Sequence, residues 1–229
     1  MTDAAYPLGT DMLGRDITAG LVWGARVSLM IGLLSTVIAL AFGVVIGTIS
    51  GYCGGRIDDA LMRFTEFFQT IPQLALTVVI VAVMGPSLVS ITGAITVVSW
   101  PPAARLVRSE FLSLRQREFV QAAIVIGQKP ARIIWSQILP NAMSPIIVSA
   151  SFMVATAILT ESALSFLGLG DRNLMSWGFM IGASRTMIRE AWWMCVWPGV
   201  AIMLTVLAIN LIGEGLNDAL NPQLRKRGE

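Results

Sequence analysis

The sequence predicts an all-α integral membrane protein with about five transmembrane helices. Three observations carry this. Of the 229 residues, 55% are hydrophobic and only 13% charged, with a mean hydropathy of +0.73. Soluble domains carry nearer a quarter charged residues, so lipid is the expected solvent. The apolar residues gather into five long stretches, and Lys and Arg are distributed unevenly between the gaps that separate them.

A helix crosses the hydrocarbon core with about 20 residues. The stretches that meet this length are 27–50, 67–84, 88–107, 142–167 and 195–212. The first carries Gly43, Gly47 and Gly51 at intervals of four, a spacing that lets a second helix approach closely; packing is preferred over a functional hinge. Pro72 in the second stretch and Pro101-Pro102 in the third are expected to bend their helices, because proline removes an amide donor. Before the first stretch, Gly9 to Asp16 mixes turn formers with two acids and an arginine. A capped turn leading into an interfacial helix is preferred there over a contact with an external binding protein.

With five spans, one side holds Arg56, Arg63, Arg105, Arg108, Arg115, Arg117, Lys129, Arg132, Arg225, Lys226 and Arg227. The other holds Arg15, Arg26, Arg172, Arg185 and Arg189. The positive-inside rule makes the first side cytoplasmic, with the N-terminus outside and the C-terminus inside. An outside N-terminus without a signal sequence leads to the expectation that an upstream span precedes this chain.

Two connections are long. Residues 108–141 alternate charged and apolar side chains and read as short helices. Residues 168–194 hold Trp177, Trp192 and Trp193, expected at the water–lipid boundary, and 178–190 suits a short interfacial helix. Within the first connection, a helix from Glu118 to Gly127 places Phe119, Ala122, Ala123 and Ile126 on one face. Gly127 suits a left-handed C-cap and Pro130 prevents simple continuation. Such a helix either docks in a partner's groove or lies on lipid headgroups, and the pattern leaves both open.

Glu161 is the one acid well inside a predicted span. A substrate-path role stands against reaching the interface or capping a backbone group. Asn210, Glu214, Asn217 and Asp218 cluster near the end of the last span. A polar exit lining with Asn210 is one reading; pairing of Glu214 and Asp218 with the basic tail or the loop arginines is preferred.

Several chemistries are excluded or lack support. The chain has no histidine, no GxxxxGK[ST] phosphate loop and no GxSxG elbow, so neither ATP hydrolysis by that route nor other catalysis by its own residues is expected. Cys53 and Cys195 stand alone, which suggests neither a disulfide framework nor a metal site. A net charge of +2 gives no reason to expect nucleic acid. A secondary transporter, the rival from another class, should show inverted repeats and several buried charges, and the chain shows neither.

Gln121-Ala122-Ala123, three residues, Gly127, then Leu139-Pro140 resembles the EAA signature of ATP-binding-cassette importer permeases. It departs in having Gln121 where the signature has Glu and Gln137 where it often has Ile. The runs Leu8 to Asp16, Gly24 to Leu29, Leu159 to Gly170, Trp177-Gly178 and Asn221-Pro222 narrow the resemblance to the dipeptide, oligopeptide and nickel permeases, nearest their C-type subunit.

The resemblance implies a type I permease core over about 27–214, with an external segment 1–26, a coupling helix at about 117–128 and a cytoplasmic tail 215–229. It implies an ATP-driven, binding-protein-dependent importer in the bacterial inner membrane, for di- or oligopeptides, with nickel or another small solute as the alternative. Implied partners are membrane lipid, a second homologous permease subunit, two ATPase subunits that bind the ATP, and an extracytoplasmic solute-binding protein. No cofactor is implied for this chain. Glu118, Gln121, Ala122, Ala123 and Gly127 would meet the ATPase, and Gly127→Asp or Ala123→Asp would uncouple it.

Overall fold

A computed structural model describes residues 6–220. Asn221-Pro222 and the basic Arg225, Lys226 and Arg227 lie outside the described residues. Among the described residues nine α-helices follow one another: α1 Ile17–Cys53, α2 Gly55–Thr70, α3 Gln73–Met84, α4 Leu88–Arg115, α5 Glu118–Val125, α6 Pro130–Ile133, α7 Leu139–Phe166, α8 Trp177–Ser184 and α9 Trp193–Leu220. A π-helical turn, Ile134–Ile138, joins α6 to α7, and an isolated antiparallel bridge pairs Thr10 with Asp16.

Among the described residues, length and apolarity alone single out three helices, with a fourth where two are joined. Helices Ile17–Cys53, Pro130–Phe166 and Trp193–Ala219 are long and apolar enough to cross a membrane. A fourth results if α2 and α3 form one broken span. They break at Ile71-Pro72, where Ile71 is extended, because the residue before proline is driven out of the helical region. The expected third span is a continuous 28-residue helix that passes through Pro101-Pro102. Its serines, threonines and prolines, together with Arg105, lower its apolarity relative to the other long helices.

Helix α1 begins ten residues before the first predicted span. Asp16 caps it: its carboxylate accepts the amide of Thr18 at 2.8 Å, and its backbone carbonyl accepts that of Gly20. At about 1.5 Å per residue, its 37 residues reach ~55 Å, well beyond a hydrocarbon core of ~30 Å.

The chain divides into two compact units. One comprises residues 1–36, 73–96 and 153–210, the other 37–72, 97–152 and 211–229. In the first, Ile31, Val81, Ile91, Ile95 and Leu164 form one core cluster, and Val154, Ile158, Trp177 and Ile202 another.

In the second unit, Val107, Phe111, Val120, Ile133, Ile138 and Ile146 form the core. The indole of Trp100 gathers Phe42, Phe64 and Phe68 around it at centroid distances of 5.1, 5.7 and 5.4 Å. Asp58 of α2 is only 8% exposed; it accepts Arg108 Nε at 2.5 Å and Nη2 at 2.6 Å, and also the hydroxyl of Ser50. One carboxylate thus ties α1, α2 and α4 together, where sequence reading had counted Arg108 only as a topology signal.

The glycine stripe on α1 is a packing surface. A Cβ on Gly43 would sit 2.7 Å from the Ala103 Cβ, one on Gly47 2.5 Å from the Ala104 carbonyl oxygen, and one on Gly51 2.6 Å from the Phe111 Cβ. Small residues at every fourth position let α1 lie on the backbone of α4.

Candidate functional site

Helix α5 is set between two short connections. Arg117, with extended dihedrals, precedes it, and Glu118 occupies its first turn, where the helix dipole favours an acid. Its C-terminus is a Schellman turn. Gly127 has φ +75°, its amide donates to the Ile124 carbonyl at 3.0 Å, and the Gln128 amide donates to that of Ala123 at 3.1 Å. Pro130 then opens α6 at its first turn, where its missing amide costs nothing. The left-handed cap expected at Gly127 is present.

The faces of α5 differ from expectation. Val120 and Ala123 are buried in the core of their unit, whereas Phe119, Ala122 and Ile126 are exposed. Ala123 therefore does not share the open face with them. Helical position alone could not settle this, because the neighbours that define inside are Val107 and Phe111, far away in sequence. What faces outward is apolar: Val125 is 84% and Ile126 73% exposed. Glu118 and Gln121 are exposed beside them, and the Gln121 amide donates to the Arg115 carbonyl at 2.9 Å, capping the end of α4. Glutamate, an acceptor only when ionised, cannot make that bond, which gives the departure at position 121 a structural role.

Glu161 does not reach an interface. It is 1% exposed within the first unit, and one carboxylate oxygen accepts the hydroxyls of Ser165 at 2.8 Å and Ser176 at 2.6 Å. Asn210 has a buried side-chain oxygen without a hydrogen-bond partner. Asn217 accepts the hydroxyl of Ser144 at 2.7 Å. Glu214 and Asp218 are exposed, and neither makes an ion pair among the described residues, so the expected pairing with loop arginines is absent. The basic tail lies outside the described residues.

Trp177 is also misplaced by sequence reading. It is buried, donating its indole N–H to the Leu21 carbonyl at 2.9 Å, whereas Trp192 is exposed. The helix expected at 178–190 is α8, packed into its unit rather than lying on a surface, and followed by a 3-10 turn at Arg185–Met187.

A cavity of about 280 Å³ lies beside α8 and the N-terminal turn, lined mainly by Met12, Met175, Phe179, Met180 and Met194. The turn is held by Asp11, whose carboxylate accepts the amides of Leu13 and Arg15 at 2.9 and 2.8 Å and the Arg15 Nε at 2.7 Å. Partial burial raises the Asp11 carboxyl, but the backbone and guanidinium donors of Arg15 and the Leu13 amide outweigh it and hold it below its ordinary value. A depressed folded-state pKa stabilises above the unfolded value, and that stability is lost as pH falls through the folded value. Amide exchange at Leu13 and Arg15, corrected for intrinsic rates, should therefore show protection near neutrality that is lost only below the ordinary aspartate range. Asp11→Asn should remove that pH step.

With the α5 cap, its open face and the motifs around Glu161 in place, comparison with known proteins is decisive. The profile of binding-protein-dependent transport system inner membrane components matches residues 43–226. The chain belongs to that family. Its relatives include the dipeptide transport system permease protein of Alkalihalophilus pseudofirmus, 46% identical over 97% of this chain and 73% of the relative. The di/tripeptide permease protein of Pseudomonas aeruginosa is 43% identical over 97% and 74%. The oligopeptide permease protein of Bacillus subtilis is 40% identical over 95% and 72%.

Among solved structures, the permease resembles a chain of the MetNI methionine ABC transporter with a TM-score of 0.77. The identity is 17%, and 90% of this chain and 98% of that one are covered. At that identity the likeness concerns the fold, which is that of ABC importer permeases.

Proposed function

We propose that this permease carries di- or oligopeptides inward as part of an ATP-driven importer, with α5 as the segment that receives the force of ATP hydrolysis. The single observation that carries the reading is the exposed apolar face of α5, set by a rigid Schellman cap within a stretch matching the permease signature. Uncovered large apolar residues on a short helix suit burial against a protein partner. Counted over the five expected spans, the excess of Lys and Arg in the same set of connections supports a cytoplasmic α5, on the side where ATPase subunits would work. The names of the relatives support peptide cargo, and the family's description supports a binding-protein partner.

The test is purification of the complex from native membranes, followed by ATPase and peptide-uptake assays of variants. Ala122→Asp places a charge on the open face and leaves the core untouched. A carboxylate desolvated at such a contact should cost about 2 kcal/mol, about thirtyfold in affinity for the ATPase subunits. Uptake should collapse while the permease stays in the membrane at normal abundance. Ala123→Asp is the wrong probe, because a charge there would be driven into the core of the unit. Normal uptake and normal recovery of the ATPase subunits in Ala122→Asp would remove α5 from the coupling path.

A further inference from the structure

We propose that Glu161 is a positioning residue that staples α8 to α1 and α7, so that α8 stays seated throughout the transport cycle and does not swing as a gate. The Glu161 oxygen that accepts Ser165 also accepts Ser176, and the Ser176 hydroxyl in turn accepts the Phe179 amide at 3.0 Å as the N-cap of α8. One residue on, the Trp177 amide donates to Ser28 Oγ at 3.1 Å and its indole to the Leu21 carbonyl, both on α1. The carboxylate of α7 thus fixes the first turn of α8, and that turn fixes α1.

Steric contact supports the same assignment. A Cβ on Gly178 would lie 2.6 Å from the Ser162 Cα and 3.0 Å from the second Glu161 carboxylate oxygen. One on Gly182 would lie 2.5 Å from the Ser165 carbonyl oxygen. Helix α8 therefore lies directly on the backbone of α7 for two turns. Arg185 closes its far end by donating to the Phe166 carbonyl at 2.8 Å, and Ser184 is fully buried, with its Oγ 3.0 Å from Cys195 Sγ. Among the described residues the second Glu161 oxygen accepts no hydrogen bond of ordinary geometry, yet a buried carboxyl group is kept here. The two serine bonds at its other oxygen are what it supplies, and a neutral amide carbonyl can accept both.

The assembled transporter tests this through a thiol placed at Ser184→Cys in a Cys53→Ser, Cys195→Ser background. A membrane-impermeant maleimide reports whether that buried position opens, and uptake is read on the same samples. Although turnover presumes the transport reading above, labelling follows α8 whatever the cargo, so a wrong cargo and a wrong staple give different results. The introduced thiol should stay unlabelled at rest, during ATP turnover and when trapped with vanadate. Glu161→Ala should raise its labelling about tenfold or more and depress uptake, as local opening of a lost clasp predicts. Glu161→Gln should restore both shielding and uptake, a rescue that a requirement for charge would forbid. Should Glu161→Ala fail to assemble, Ser176→Ala removes the same link from the other side and should also raise labelling. Labelling of the otherwise intact transporter during turnover would overturn the proposal, as would full shielding and uptake in Glu161→Ala or Ser176→Ala.

Discussion

Gly47→Leu should abolish the folded permease. An added Cβ meets the Ala104 carbonyl oxygen at 2.5 Å, the Val107 Cβ at 2.7 Å and the Arg108 amide nitrogen at 3.0 Å. Two of these are backbone atoms of a continuous helix and cannot rotate away, so relief requires α1 to move off α4. Even Gly47→Ala, which gains up to about 1 kcal/mol of helix propensity, should lose stability by about 2 kcal/mol net, because overpacking against rigid atoms costs more than the propensity returns. Gly93→Ala on α4 is the control. Nothing lies within 4 Å of its Cβ, so the propensity gain stands unopposed. Thermal unfolding of the detergent-solubilised protein checks the pair. A Gly47→Ala melting point at or above that of the parent would show that α1 and α4 do not depend on this approach.

Arg108→Ala should cost about 2 kcal/mol, less than splitting a fully buried pair, because the Arg108 side chain is 33% exposed. Asp58, 8% exposed in the intact protein, would retain only the Ser50 hydroxyl, and the bidentate fork that joins α4 to α2 would be gone. Arg108→Lys should recover only part of the loss, since one ammonium cannot reproduce the planar two-point contact. Removing both charges, as in Asp58→Asn with Arg108→Gln, should be less damaging than Arg108→Ala alone, because no uncompensated charge is then buried. The four proteins compared in a detergent unfolding titration give this order directly. Equal stability of Arg108→Ala and the parent would mean that the pair is solvated and structurally idle.

These two sites divide cleanly by how legible they were. The glycine stripe is a local repeat at the helical period, so its packing face could be read without knowing its partner; only the partner, α4, came from the tertiary structure. The pair of Asp58 and Arg108 is separated by 50 residues, and no local pattern marks it. Arg108 looked like one of many cytoplasmic cations because hydropathy and charge counts carry no pairing information.

The same division holds across the molecule. Composition and apolar run length alone determined that this is a helical membrane protein, since a chain this poor in charge must solvate its helices in lipid. The signature around Gln121, Ala122 and Gly127 pointed to its family, and Gly127 within it, with Pro130 just beyond, determined where α5 stops. Only the tertiary structure decided which way Ala123 and Trp177 face, that α4 runs unbroken through Pro101-Pro102, and that Glu161 holds two serines instead of meeting an interface. Helical periodicity specifies which residues share a face, but not what the face packs against. That choice is made by residues distant in sequence, and it is there that the burial of a carboxylate or an indole is decided.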